Sequence, residues 1–262
     1  LDKSEDFNDK VKRYIPRVVE SFKSQEAIQI LMRLLRSNDF VIRQQASTSL
    51  LQLYKQFGNL KFNTKRLKAV VKNESRHVKN AFVVKNYLES LLDKSSENKL
   101  ADGFAYDADE QMARRQIVEI LGEQIETSLE TIFNLLGILY NTDDMRITYH
   151  GLRSEQRDTR VNALEFLDTF LKGSIKYRLV PIVDFYIATD PNINLLQKKS
   201  LTDRAYLSLL VRSRGKRIKL KVLELISAIN DPSFRSLVKS LQNHRNSRVR
   251  AQVKKTLATL NK

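Results

Sequence analysis

Residues 154–167 read SEQRDTRVNALEFL, with Arg157 and Arg160 ahead of an apolar stripe of Ala163, Leu164 and Leu167. Two arginines at the mouth of a helix can form an anion site, or the stretch can be one unit of a larger pattern. The rest of the chain favours the pattern. A basic residue, then a small or apolar residue three positions on, then an apolar one four further, recurs. It appears as Arg43–Ala46–Leu50, Lys219–Val222–Ile226 and Arg250–Val253–Leu257, beside Arg160–Ala163–Leu167 itself. Lys79–Phe82 and Arg114–Ile117–Leu121 are weaker members. Successive starts lie 36, 35, 46, 59 and 31 residues apart, scattered around the period of helical-pair repeats.

Spacings of three and four place these residues on one face of a helix. The strong units follow a second amphipathic stretch: EAIQILMRLLRS (26–37), MRITYHGLRS (145–154) and FRSLVKSLQNH (234–244) precede the Arg43, Arg160 and Arg250 units. Asn38 or Asp39, and Ser154, are the expected N-caps. A single helix pair of this size cannot bury its apolar face, whereas stacked pairs can. The expected fold is therefore all-α, an α-solenoid of stacked antiparallel helix pairs. The polar run DKSSENKLADGFAYDADE (93–110) interrupts the helical period and contains Gly103. It is expected to form a loop between an N-terminal repeat segment, 1–92, and a C-terminal one, 111–262. TDPNIN (189–194) reads as an ordinary connection between helices.

Composition agrees with a helical protein. Only 7 Gly and 4 Pro occur in 262 residues, too few for the tight turns of a sheet-rich fold. The longest apolar runs, such as FNLLGILY (133–140), are far shorter than the ~18–20 residues of a membrane span. The polar start LDKSEDFNDK shows no signal peptide, and its initial Leu suggests a piece of a longer protein. With no Cys, the chain has no disulfide, thiolate zinc site or Cys nucleophile. The formal charge of +16 points to polyanionic partners, nucleic acid or an anionic membrane surface.

The units VIR..A...L and RVNALEFL resemble HEAT-type repeats in degenerate form. A longer stretch, LETIFNLLGILYNTDDMRITYHGLRSEQRDTRVNALEFLDTFLKGSIKYRLVPIVD (129–184), resembles the soluble helical-repeat region of bacterial nucleotide-transporter-like proteins of the ATP/ADP-translocase type. The matching features are LLGILY, the Y.GLRS turn and R.NALEFLD. The sequence departs at EQRDT, where that pattern has a more turn-like Asp-Pro step. The resemblance implies a cytoplasmic domain at the inner membrane face of a bacterium, its partners being the membrane portion of its own parent chain or another protein. It carries over no transport residue, because the translocase membrane helices are absent from this sequence.

Arg160 falls at the recurring basic position, so it is expected to order the turn before its helix and pack its stem between helices; Arg157 is expected to be exposed. His77, His150 and His244 share neither a helical face nor a metal-ligand spacing. DADE (107–110) lacks the spaced ligands of a calcium loop, and TDDM (142–145) reads as a helix start whose acids meet the positive dipole end. Phe133, Phe166 and Phe170 are expected in the core. With no phosphate-cradling loop and no nucleophile elbow, neither an enzyme nor a cofactor, metal or small-molecule substrate is expected.

The candidate partner surface is VRSRGKRIKLK (211–221). It carries Arg212, Arg214, Lys216, Arg217, Lys219 and Lys221 with no acid, and residues 232–262 add eight basic residues, again with no acid. Such a surface suits anionic lipid, at ~1 kcal/mol per engaged side chain. The alternative function is nucleic-acid binding through the same basic surface. The absence of Trp weighs against the helical-repeat glycosylases that use Trp and Asp around a lesion, and leaves plain phosphate contact.

Overall fold

The computed structural model describes residues 9–101, 108–189, 193, 196, 202–213 and 215–261. Every regular element among them is helical. In chain order these are α1 (Asp9–Glu20), α2 (Gln25–Leu34), α3 (Phe40–Gln56), α4 (Thr64–Ala101), α5 (Ala108–Leu139) and α6 (Thr142–Leu152). There follow α7 (Arg157–Phe170), α8 (Gly173–Ile187), α9 (Asp203–Val211), α10 (Lys216–Ile229), α11 (Arg235–Lys239) and α12 (Ser247–Thr259), with a 3-10 turn at Pro232–Phe234 before α11. None is long and apolar enough to cross a membrane.

The polar run 93–110 departs from its expected form. α4 continues to Ala101 and α5 begins at Ala108, so both ends of the expected loop are helical. The part that α4 takes up contains Lys94, Glu97 and Lys99, and Gly103 lies outside the described residues. A polar composition lowers burial without forbidding a helix, since Lys and Glu rank among the good helix formers. Most of TDPNIN also lies outside the described residues.

The chain divides into two compact units that do not follow the expected boundary. Unit 1 comprises residues 1–79 and 124–198, and unit 2 residues 80–123 and 199–262. Each long helix contributes one part to each unit, so the sequence segments 1–92 and 111–262 are not the compact bodies.

In unit 1, α1, α2 and α3 pack on one another, as do α6 with α7 and α7 with α8. The apolar stripes decide which faces meet. Leu31, Ala46, Leu50, Leu67, Leu167 and Leu179 are among its fully or almost fully buried side chains. Gly151 allows α6 and α7 to approach closely. A Cβ there would sit 3.1 Å from Ala163 Cβ, tighter than ordinary packing. Gly173, at φ +60°, starts α8 in the left-handed region that favours glycine. In unit 2, α9 packs on α10, α10 on α12 and α11 on α12, burying Leu207, Val222, Leu223, Ile226, Val249 and Val253.

The helix starts show their causes. Ser24, Asp39, Asn141, Thr202 and Asn246 each accept a backbone N–H of the first helical turn, the Asp39 bond to Val41 N–H being 2.9 Å. The expected cap at Ser154 is displaced to Gln156. Ser154 Oγ instead accepts the N–H of Gln156 at 3.2 Å, as Ser37 Oγ accepts that of Asp39 at 3.2 Å. A serine two residues before the cap bends the chain into the helix rather than capping it. Asp143 and Asp144 stand in the first turn of α6, as TDDM implied.

Candidate anion-binding surface and the repeated arginine

The recurring basic residue has one structural position. Arg43, Arg160, Lys219 and Arg250 are each the fourth residue of their helix, and each N–H donates to the cap carbonyl, of Asp39, Gln156, Gly215 and Asn246 respectively. Three of the side chains then reach back over the preceding turn. Arg43 donates to the carbonyl of Ser37 at 3.0 Å, Arg160 to that of Ser154 at 3.0 Å, and Arg250 to that of His244 at 2.8 Å. Arg160 and Arg250 add the carbonyls of Glu155 (2.8 Å) and Arg245 (2.7 Å). Turn carbonyls that no helix can satisfy thus acquire charged donors. Arg157 is exposed. Below the arginines, Ala46, Leu50, Ala163, Leu167 and Val253 are buried, but Leu257 is only half-buried. Thr256 and Leu260 fill the core around it, Thr256 Oγ1 donating to the Leu223 carbonyl at 3.1 Å. The last unit is therefore rotated slightly at its end. Phe166 also departs from its expected place: it is exposed and stacks on Phe170 with ring centroids 5.1 Å apart, whereas Phe133 is buried.

The basic stretch 211–221 spans the turn from α9 to α10. Arg212 ends α9 and is exposed, Lys216 and Arg217 are the first two residues of α10, and Arg214 lies outside the described residues. Among the described residues, Arg217 and Lys221 meet carboxylates that a reading of 211–221 alone could not supply. Arg217 binds Glu123 of α5, and Lys221 lies 2.7 Å from Glu224. Lys219 is half-buried, and burial pulls its ammonium below the usual lysine range. The outward-facing charge of this stretch is therefore smaller than its sequence suggests. The second of these pairs is visible as a three-residue spacing, while the first joins residues 94 apart and has no local signal.

Neighbouring α12 carries further exposed basic residues. Arg245, Arg248, Lys254 and Lys255 are exposed on it or on the turn before it. Helix starts carry positive partial charge and favour acids, yet α10 begins Lys-Arg and α12 has Arg248 as its second residue, with no acid in either first turn. Like charges placed against two dipoles lower stability unless an anion approaches. His244, in the turn before α12, accepts the N–H of Asn246 on Nδ1 at 3.1 Å. Burial and then the charge of Lys219 hold its imidazole below the usual histidine range.

Two polar clusters escaped sequence reasoning because their members are far apart in the chain. In unit 1, Tyr186 donates to Glu126 at 3.1 Å, and Arg153 lies 3.8 Å from the same carboxylate and over the ring of Tyr149. In unit 2, Tyr87 donates to Asp203 at 2.7 Å beside buried Tyr206. Burial, followed by its bond to Asp203, pushes the Tyr87 phenol up to about 12, and burial raises Tyr149 to about 12. Both phenols keep their protons at neutral pH; that of Tyr87 donates to Asp203, while that of Tyr149 lies under the Arg153 guanidinium. Among the described residues no group of His, Asp and Glu gathers in a metal-binding arrangement.

No protein-family model matches the chain, and no curated protein and no solved structure is significantly similar to it.

Proposed function

We propose that the chain is a non-catalytic scaffold or regulatory domain built as an α-solenoid of degenerate HEAT-like repeats. It serves as the soluble part of a nucleotide-transporter-like membrane protein of the ATP/ADP-translocase type. It works in the bacterial cytoplasm at the inner membrane face, and contacts the membrane portion of its parent chain, another protein or anionic lipid. The observation that carries this reading is the shared geometry of Arg43, Arg160 and Arg250, each clamping the turn six residues before it. Repeated units with one local design suit an extended contact surface. The resemblance of residues 129–184 supplies the transporter context, and the basic starts of α10 and α12 supply a surface for anions.

The reading is tested by flotation with vesicles of 70% phosphatidylcholine and 30% phosphatidylglycerol at low salt. The domain is expected to float with these vesicles and not with pure phosphatidylcholine. Replacing Arg212, Lys216 and Arg217 by Gln should weaken the association while the helical spectrum stays unchanged. Equal binding to both vesicle types would remove the basic surface from the account.

A further inference from the structure

The first helix presents a second face with no basic-cluster residue in it. Val11, Tyr14, Val18 and Phe22 are 45%, 66%, 57% and 69% exposed. Their spacing of three, four and four makes one continuous stripe along α1 and the turn that ends it. The same helix buries a different side, Pro16 and Val19, against the rest of unit 1. A monomer's scattered exposed apolar residues need no explanation, but a contiguous stripe does.

The stripe has a basic border. Arg17 is exposed next to it, and Arg13 is fixed there by donating from Nε to Asp39 at 3.2 Å. Arg13, Tyr14, Arg17, Val41 and Gln45 line an open cleft of about 370 Å³ between α1 and α3. The exposed guanidinium of Arg17, the Arg13 guanidinium whose Nε is held by the Asp39 carboxylate, a phenol and an amide offer donors suited to a phosphate oxygen. Apolar side chains beside an arginine-lined cleft on a sharply amphipathic helix are the features of a helix lying in a bilayer interface. We infer that α1 docks flat on an anionic phospholipid bilayer, with Val11, Tyr14, Val18 and Phe22 entering the acyl boundary and a lipid phosphate seated between Arg13 and Arg17. The inference rests on the proposed membrane-peripheral role but assigns the contact to a surface other than residues 211–221.

The chain has no cysteine, so single labels are easily placed. Phe22→Cys and, as a control on α8, Tyr177→Cys, which is 82% exposed, would carry an environment-sensitive nitrobenzoxadiazole dye. On vesicles of 70% phosphatidylcholine and 30% phosphatidylglycerol the Phe22 label should shift to the blue and resist an aqueous quencher, while the Tyr177 label should not change. Val18→Asp should lower vesicle partition roughly tenfold, with the thermal transition unchanged because the side chain is already outside the core. Arg13→Gln with Arg17→Gln should weaken the preference for phosphatidylglycerol, beyond any loss caused by the Arg212, Lys216 and Arg217 replacements.

Flotation with a silent Phe22 label would overturn the α1 inference and leave the membrane reading standing. An inserted Phe22 label whose binding ignores the Arg212, Lys216 and Arg217 replacements would uphold α1 and overturn the role given to the basic cluster. No flotation at all, or insertion of both labels, would overturn the inference; a Phe22 label shifted only by an added protein would assign the stripe to a protein partner instead.

Discussion

Arg43 and Glu74 form a buried ion pair within unit 1. The Nε–Oε1 distance is 2.8 Å, and the side chains are 3% and 1% exposed. A second guanidinium nitrogen reaches Oε2 at 3.2 Å, and the third donates to the Ser37 carbonyl. The arginine that closes the turn before α3 is thereby anchored to α4. Removing one partner strands the other charge away from water. Glu74→Ala should therefore destabilise by about 3–5 kcal/mol, read from urea unfolding. Arg43→Met with Glu74→Leu should be less destabilised than either single change, because the apolar pair leaves no stranded charge.

In the opening unit, Arg160 and Arg157 should separate cleanly. Arg160→Ala removes charged donors from two turn carbonyls and should cost roughly 1–3 kcal/mol. Arg157→Ala, at an exposed position, should stay within about 0.5 kcal/mol. Leu167→Ala should cost roughly 2–5 kcal/mol by opening a cavity. Equal effects at Arg157 and Leu167 would place the wrong face of α7 in the core.

The close approach of α6 and α7 at Gly151 gives an independent test. Gly151→Ala puts a methyl 3.1 Å from Ala163 Cβ and should destabilise by about 1–3 kcal/mol. Ala163→Gly in the same chain should recover part of that loss, and an unchanged melting temperature in the single variant would show that the helices can part freely.

His244 sets a pH dependence. Its folded-state pKa lies below the unfolded value, so between the two the unfolded chain binds more protons. The stability it contributes is complete above the unfolded pKa, about 6.5, and is lost as pH falls from there through the folded pKa. Protonation also ends the acceptance of the Asn246 N–H by Nδ1. Chemical unfolding between pH 7.5 and 5 should show a fall in stability that His244→Gln reduces.

Local patterns made much of the helical content legible. The stripe through Ala46, Leu50, Ala163 and Leu167 needs only a three-and-four spacing, and helix geometry supplies the rest. The caps were half legible. Asp39 precedes an apolar run directly, whereas Ser154 sits two residues early and Gln156 caps without a side-chain bond. Composition misled at 93–110, because polarity reports burial more faithfully than helicity. Pairings such as Arg43 with Glu74 and Arg217 with Glu123 depend on which helices become neighbours, and no local spacing encodes that. Glu123 matters most for the candidate surface, since it takes one charge from a cluster that looks free of acids in sequence.

The central claim is that the basic surface serves a membrane-docked scaffold rather than a nucleic-acid reader. It is tested most directly by titrating the domain with a 30-base-pair duplex at 150 mM salt and again across a salt series. The account predicts weak binding without sequence preference, on the order of 10⁻⁴–10⁻⁶ M, as for non-specific phosphate contact. Nanomolar binding at 150 mM salt that depends on sequence or on a damaged base would contradict it.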